Sequence, residues 1–131
     1  MKNIVILGAG ESGVGAALLA QKLGFNVFVS DKSVIKDNFR AELEAANIAY
    51  ESGNHDRNRI FAATQIVKSP GFSEKIDLIQ ALILRGVPIV SEIEFAYQNL
   101  PFFSEKILSR HSSRNLSWLK HNTKTLTLGG A

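Results

Sequence analysis

Apolar residues fall in short runs closed by turn residues, and these runs alternate with segments whose apolar positions recur every three or four residues. Lys2 to Leu7, with the run Ile4-Val5-Ile6-Leu7, reads as a strand buried on both faces. After Gly13, the residues Val14, Ala17, Leu18, Ala20, Gln21 and Leu23 keep helical spacing until Gly24 ends it. Phe25 to Ser30 predicts a second strand that delivers Asp31 to its C-terminal end. Phe39, Leu43 and Ala46 mark a helix over Asp37 to Asn47, followed by a short strand around Ile48 to Tyr50 and a brief helix from Arg57 to Ala63. Gln65 to Lys68 is the next strand, stopped by Ser69-Pro70-Gly71. Ile76, Ile79, Leu82 and Ile83 line one face of a helix from Glu74 to Arg85, and Val87 to Val90 forms a fifth strand that leads into Ser91 to Tyr97.

Such alternation predicts an α/β fold, a Rossmann-like three-layer sandwich with a five-stranded parallel sheet. Residues 1–98 carry the rhythm and residues 99–131 lose it, apart from a short helical pattern at Asn115 to Leu119. A chain of 131 residues fits one such domain.

Charge is divided in the same way. The formal charge of +3 arises beyond residue 100, because residues 1–100 hold 10 basic and 11 acidic side chains while 101–131 hold 5 and 1. The near-neutral body does not resemble a nucleic-acid-binding surface, and the basic tail reads as a solvated segment. Absence of cysteine excludes disulfides, thiolate metal sites and cysteine nucleophiles. No apolar run approaches the roughly 20 residues of a membrane span, and Met1 to Ile4 does not open a signal peptide. A cytoplasmic location with no membrane partner is expected.

The chemistry concentrates in Gly8-Ala9-Gly10-Glu11-Ser12-Gly13-Val14-Gly15, placed between a strand and a helix. Gly8 permits a tight turn, Gly10 lets a phosphate approach the backbone, and Gly13 lets the helix lie on the strand. The helix start adds about half a positive elementary charge, which suits a diphosphate. A tight turn with no ligand is the alternative. Asp31 stands where a carboxylate meets a ribose or a nucleoside edge, or else caps the following segment. Glu11 is expected to face solvent, away from any anion. Ser69, Pro70 and Gly71 end another strand at the ligand-binding edge, or form a plain loop. His55 reads as structural, there being no ligand cluster around it. Glu92 and Glu94 read as favourable contacts with a helix dipole rather than as an acid/base pair.

Taken together, ILGAGESGVGAALLAQKLGFNVFVSD, VKSPGF and VPIVSEIEFAY resemble the N-terminal domain of the UDP-N-acetylmuramoyl-L-alanine:D-glutamate ligases (MurD) of bacterial peptidoglycan synthesis, over about residues 1–98. The resemblance implies a domain that holds the UDP portion of UDP-MurNAc-L-alanine. Gly10, Glu11, Ser12 and Gly13 would meet the diphosphate, Asp31 and Lys32 would flank the uracil, and Ser69, Pro70 and Gly71 would wall the uridine site. ATP, magnesium, an acyl phosphate and the attack of D-glutamate belong to central and C-terminal domains of that family. Residues 99–131 lack the family's ATP-binding glycine loop, Asn122 to Thr125 having no glycines and Gly129-Gly130 arriving too late, so they read as a divergent basic tail, an artificial boundary or an out-of-frame gene end. No catalytic or metal-binding residue is therefore expected here, and the chain alone should not catalyse. An NAD(P)- or FAD-binding domain of an oxidoreductase or sensor is the alternative, and a non-catalytic interaction module a third.

Overall fold

Side chains of alternating direction along the central strand enter two separate hydrophobic clusters. The computed structural model describes residues 2–69, 71–72 and 76–99. Its strands are β1 (Asn3–Leu7), β2 (Asn26–Asp31), β3 (Ala49–Ser52), β4 (Gln65–Lys68) and β5 (Ile89–Ser91). Its helices are α1 (Glu11–Lys22), α2 (Asp37–Ala45), α3 (Arg57–Phe61), α4 (Asp77–Leu84) and α5 (Glu92–Gln98). Ile4, Ile6, Val27, Val29 and Val67 pack with Val14, Ala17, Leu43 and Phe95 of α1, α2 and α5. Val5, Leu7, Phe28 and Ile66 pack with Ile60 of α3 and with Leu78, Ile79 and Leu82 of α4. Burial on both faces explains why these strands read as unbroken apolar runs.

The sheet is wholly parallel, in the order β3-β2-β1-β4-β5. Chain order therefore runs outward from β1 in one direction and then jumps back to β4 on its other side. In open α/β sheets a ligand crevice forms at such a reversal, beyond the carboxyl ends of the strands. Register puts Leu7 beside both Ser30 and Lys68, so the turns after β1, β2 and β4 emerge side by side.

All five strands and all five helices stand where the sequence pattern predicts them, and the differences lie at their ends. Helix α1 begins at Glu11, ahead of the Val14 start that apolar spacing predicts, because Gly10 is extended and serves as its N-cap. The first turn carries no apolar signal. The strand expected at Ile48 to Tyr50 is Ala49–Ser52: Asn47, at φ 56°, ends α2, and the Ile48 N–H donates to the Leu43 carbonyl. The remaining shifts are of one to three residues. β2 runs to Asp31, α3 stops at Phe61, α4 starts at Asp77 behind an extended Ile76, and β5 starts at Ile89, after Pro88. Glu92 to Gln98 forms α5, with the Ser91 hydroxyl accepting from the Glu94 N–H at 3.1 Å. The pattern at Asn115 to Leu119 and the rest of the tail lie outside the described residues.

Candidate functional site

The turn after β1 is constrained at each of its glycines in a different way. Gly8 has φ +108°, and a Cβ there would stand 2.9 Å from Ser69 Oγ, so the loops after β1 and β4 touch. A Cβ on Gly13 would lie 1.9 Å from the Gly8 carbonyl oxygen, and only glycine lets α1 sit this close to the strand end. Gly10 differs from both. Its φ of −83° is open to any residue, and a Cβ there would meet nothing within 4 Å. Neither backbone nor packing requires glycine at position 10, whereas an approaching ligand atom would. Among the described residues no side chain caps α1, which leaves the N–H groups of its first turn facing out of the helix, while Glu11 is exposed and Ser12 half-buried.

Asp31 links this turn to its neighbour. Its Oδ2 accepts from the Ala9 N–H at 2.8 Å and its Oδ1 from the Ser33 N–H at 2.9 Å. The carboxylate thus braces the glycine turn and also caps the loop that follows it, the second of the two roles the sequence leaves open.

Beyond Asp31 the sheet edge opens into a cleft of about 510 Å³, lined among others by Asp31, Lys32, Asn54, His55, Gly71 and Phe72. Three predicted residues, Asp31, Lys32 and Gly71, line it. Gly10 to Gly13 stand at the neighbouring helix start, and Ser69 lies between, its N–H donating to the Leu7 carbonyl at 3.1 Å. Pro70 is outside the described residues.

His55 is held by neighbouring side chains, in keeping with its structural reading. Buried Ser30 places its Oγ 2.8 Å from Glu51 Oε2 and 2.6 Å from His55 Nδ1. A serine hydroxyl has one proton, and the carboxylate can only accept. That proton goes to Glu51, so Nδ1 must carry its own and donate to Ser30. The tautomer follows: Nε2 is a lone-pair acceptor, and among the described residues it has no hydrogen-bond partner. Burial lowers the His55 pKa below 6.5, against the opposing pull of Glu51 and Asp31, which favours this neutral ring. Phe72 packs against it, ring centroids 5.7 Å apart and tilted by 58°.

Glu92 corrects the helix-dipole reading. It is 3% exposed, and burial raises its pKa to about 7, opposed by a hydrogen bond with the Ser12 side chain. A carboxyl buried in this way is not the solvated anion that complements a helix start. Glu94 is exposed, as that reading requires. Sequence reasoning missed Glu92 because nothing local shows that α5 lies against the start of α1. The available signal was an acid set directly after a strand, on the same edge as the glycine turn.

Among the described residues no group of three or more His, Cys, Asp or Glu is placed to hold a metal ion, and no helix is long and apolar enough to cross a membrane. The arrangement is Rossmann-like, with the amides of a glycine turn and helix start on one side and a side-chain-lined cleft on the other. Comparison with known proteins narrows the class. Residues 2–91 match the model of the Mur ligase MurD-like N-terminal domain, and the chain belongs to that family.

A UDP-N-acetylmuramoylalanine--D-glutamate ligase of Cytophaga hutchinsonii is 50% identical over 99 residues, 76% of this chain and 22% of that protein. The ligase of the same name from Porphyromonas gingivalis is 44% identical over 120 residues, 91% of this chain and 27% of that protein. The second match is longer than residues 1–98 allow, so the likeness continues past them. A murein peptide ligase from Psychrobacter arcticus superposes with a TM-score of 0.68 at 25% identity, over 75% of this chain and 20% of that one. The chain spans about a quarter or less of the length of these relatives.

Proposed function

We propose that residues 1–98 bind UDP-MurNAc-L-alanine through its UDP moiety, as the first domain of a cytoplasmic ligase that adds D-glutamate during peptidoglycan precursor synthesis. The observation that carries this reading is the Asp31 bridge. One carboxylate fixes the glycine turn through Ala9 and also lines the adjoining cleft, so an anion site and a base-sized cleft stand side by side. The diphosphate would lie on the amides of Gly10, Glu11, Ser12 and Gly13, with the uracil between Asp31 with Lys32 and the wall formed by Ser69, Pro70 and Gly71. Neutral His55 adds an acceptor that suits the uracil N3–H.

The chain alone catalyses nothing on this reading. Activation of the substrate carboxylate by ATP and magnesium, and attack by D-glutamate, would fall to the central and C-terminal domains of the family. Residues 99–131 would stand where the ATP-binding domain begins. Relatives named as ligases support this over a nicotinamide or flavin domain.

Titration of the chain with UDP-MurNAc-L-alanine and, separately, NADH tests it by amide chemical shifts. The muramoyl nucleotide should move the resonances of Gly10 to Gly13, Asp31 to Ser33 and Ser69 to Phe72. A preference for NADH, or silence in all three loops at saturating nucleotide, overturns the reading.

A further inference from the structure

Glu92 sits at the junction of β5 and α5, where the parallel sheet brings it to the same edge as the glycine turn. Its side chain is buried against Ser12, and among the described residues Oε1 has no hydrogen-bond partner. An ionised carboxylate with a bare oxygen in such a place is strongly disfavoured, and a protonated one much less so. Ser12 belongs to the first turn of α1, whose outward amides and partial positive charge favour an anion. The buried acid and the anion site therefore meet at one hydroxyl.

We propose that Glu92 is a proton-coupled positioning residue for anion binding at the start of α1, acting through Ser12. As a neutral acid, Glu92 donates its proton to Ser12 Oγ, which frees the Ser12 O–H to donate to the anion. As a carboxylate, Glu92 captures that O–H and adds a negative charge behind the site. An anion that binds the ionised form takes up one proton from solvent, and by reciprocity a bound anion holds the Glu92 proton more tightly.

The charged groups on the elements packed around α5 are Glu11 and Lys22 of α1, Lys68 of β4 and Glu94 of α5 itself, while β5 has none. Glu11 and Glu94 are exposed, and Lys68 Nζ donates to the Phe72 carbonyl at 3.2 Å. Burial and the Ser12 hydrogen bond set the Glu92 pKa, burial raising it to about 7 against the opposing hydrogen bond. Affinity should thus be level below that pH and fall as pH rises above it.

Only the identity of the natural anion rests on the nucleotide reading. Sulfate, which does not titrate near neutrality, probes the coupling without it. Amide shifts of Gly10 to Gly13 should report sulfate binding about tenfold tighter at pH 6.0 than at pH 8.5, and sulfate should raise the pKa read from the Glu92 carboxyl carbon. E92Q, whose amide still donates to Ser12, should bind sulfate equally at both pH values. Equal affinities in the wild-type chain, no sulfate response in this turn, or pH dependence retained in E92Q each overturns the proposal. Should E92Q not fold, sulfate binding by the wild-type chain at pH 8.5 in two buffers of different ionisation enthalpy decides, uptake of a proton supporting the coupling and its absence refuting it. A parallel titration with UDP-MurNAc-L-alanine separates the two readings. Coupled sulfate binding without nucleotide binding leaves this inference standing and removes the nucleotide, whereas nucleotide binding with neither pH dependence nor proton uptake does the reverse.

Discussion

At the β1 end of the crevice the chain offers backbone: a positive-φ glycine, a glycine pressed on a carbonyl, and helix amides. At the β2–β3 end it offers side chains, with Ser30 and Asp31 of β2 meeting Glu51 and His55 of β3 and the turn after it. The first end is shaped by sterics and the second by proton placement. Their buried groups also titrate in opposite senses, since burial keeps both Glu92 and His55 neutral, one an acid and the other a base.

The steric end should break most sharply. G13A places a methyl carbon 1.9 Å from the Gly8 carbonyl oxygen, and backbone must move to admit it. We expect a loss of about 3 kcal/mol or more, read as a fall in the urea midpoint, or failure to fold. A well-folded G13A of unchanged midpoint would disprove the close approach of α1 to β1.

Next comes the pH dependence of stability. The folded-state pKa of Glu92 lies above its ordinary value of 4.5, at about 7. Between these values the unfolded chain releases the proton that the folded chain keeps, so stability from this group is full below 4.5 and is lost as pH rises to about 7. The loss is on the order of 3 kcal/mol. E92Q should remove that slope, and denaturant titrations at pH 5 and pH 8 measure it. His55 acts oppositely: its contribution is present above pH 6.5 and declines as pH falls through the window beneath.

At the cleft, H55A should spare the fold and weaken base discrimination. One hydrogen bond from uracil N3–H to Nε2 corresponds to about a tenfold preference over cytosine, which presents an acceptor there. Paired titrations with the uridine and cytidine diphosphate sugars check this, and an unchanged ratio in H55A would remove His55 from base recognition. The smallest effect on the fold is expected from G10A. Because a Cβ at Gly10 meets no protein atom, stability should change by under about 1 kcal/mol while affinity for the muramoyl nucleotide falls.

The same contrast explains what could be read from sequence. The roles of Gly8 and Gly13 are constraints within one strand–turn–helix unit, and the spacing of three glycines states them directly. Asp31 was legible as a strand end. Neither the Ser30–Glu51–His55 chain nor the Ser12–Glu92 contact was, because each depends on which strands lie side by side, and the sheet order places β4 and β5 across β1 from β2 and β3. The start of α1 was not legible because its first residues, Glu11 to Gly13, carry no apolar periodicity.

The hydrogen bond from Ala9 to Asp31 has a kinetic corollary. Because it already spans the gap between the two half-sites, a guest need not draw them together on arrival, and little ordering cost is left for the encounter. Guests should then differ in residence time far more than in rate of capture, and a molecule whose charged group and ring are spaced wrongly should leave quickly, there being little slack to take up the error.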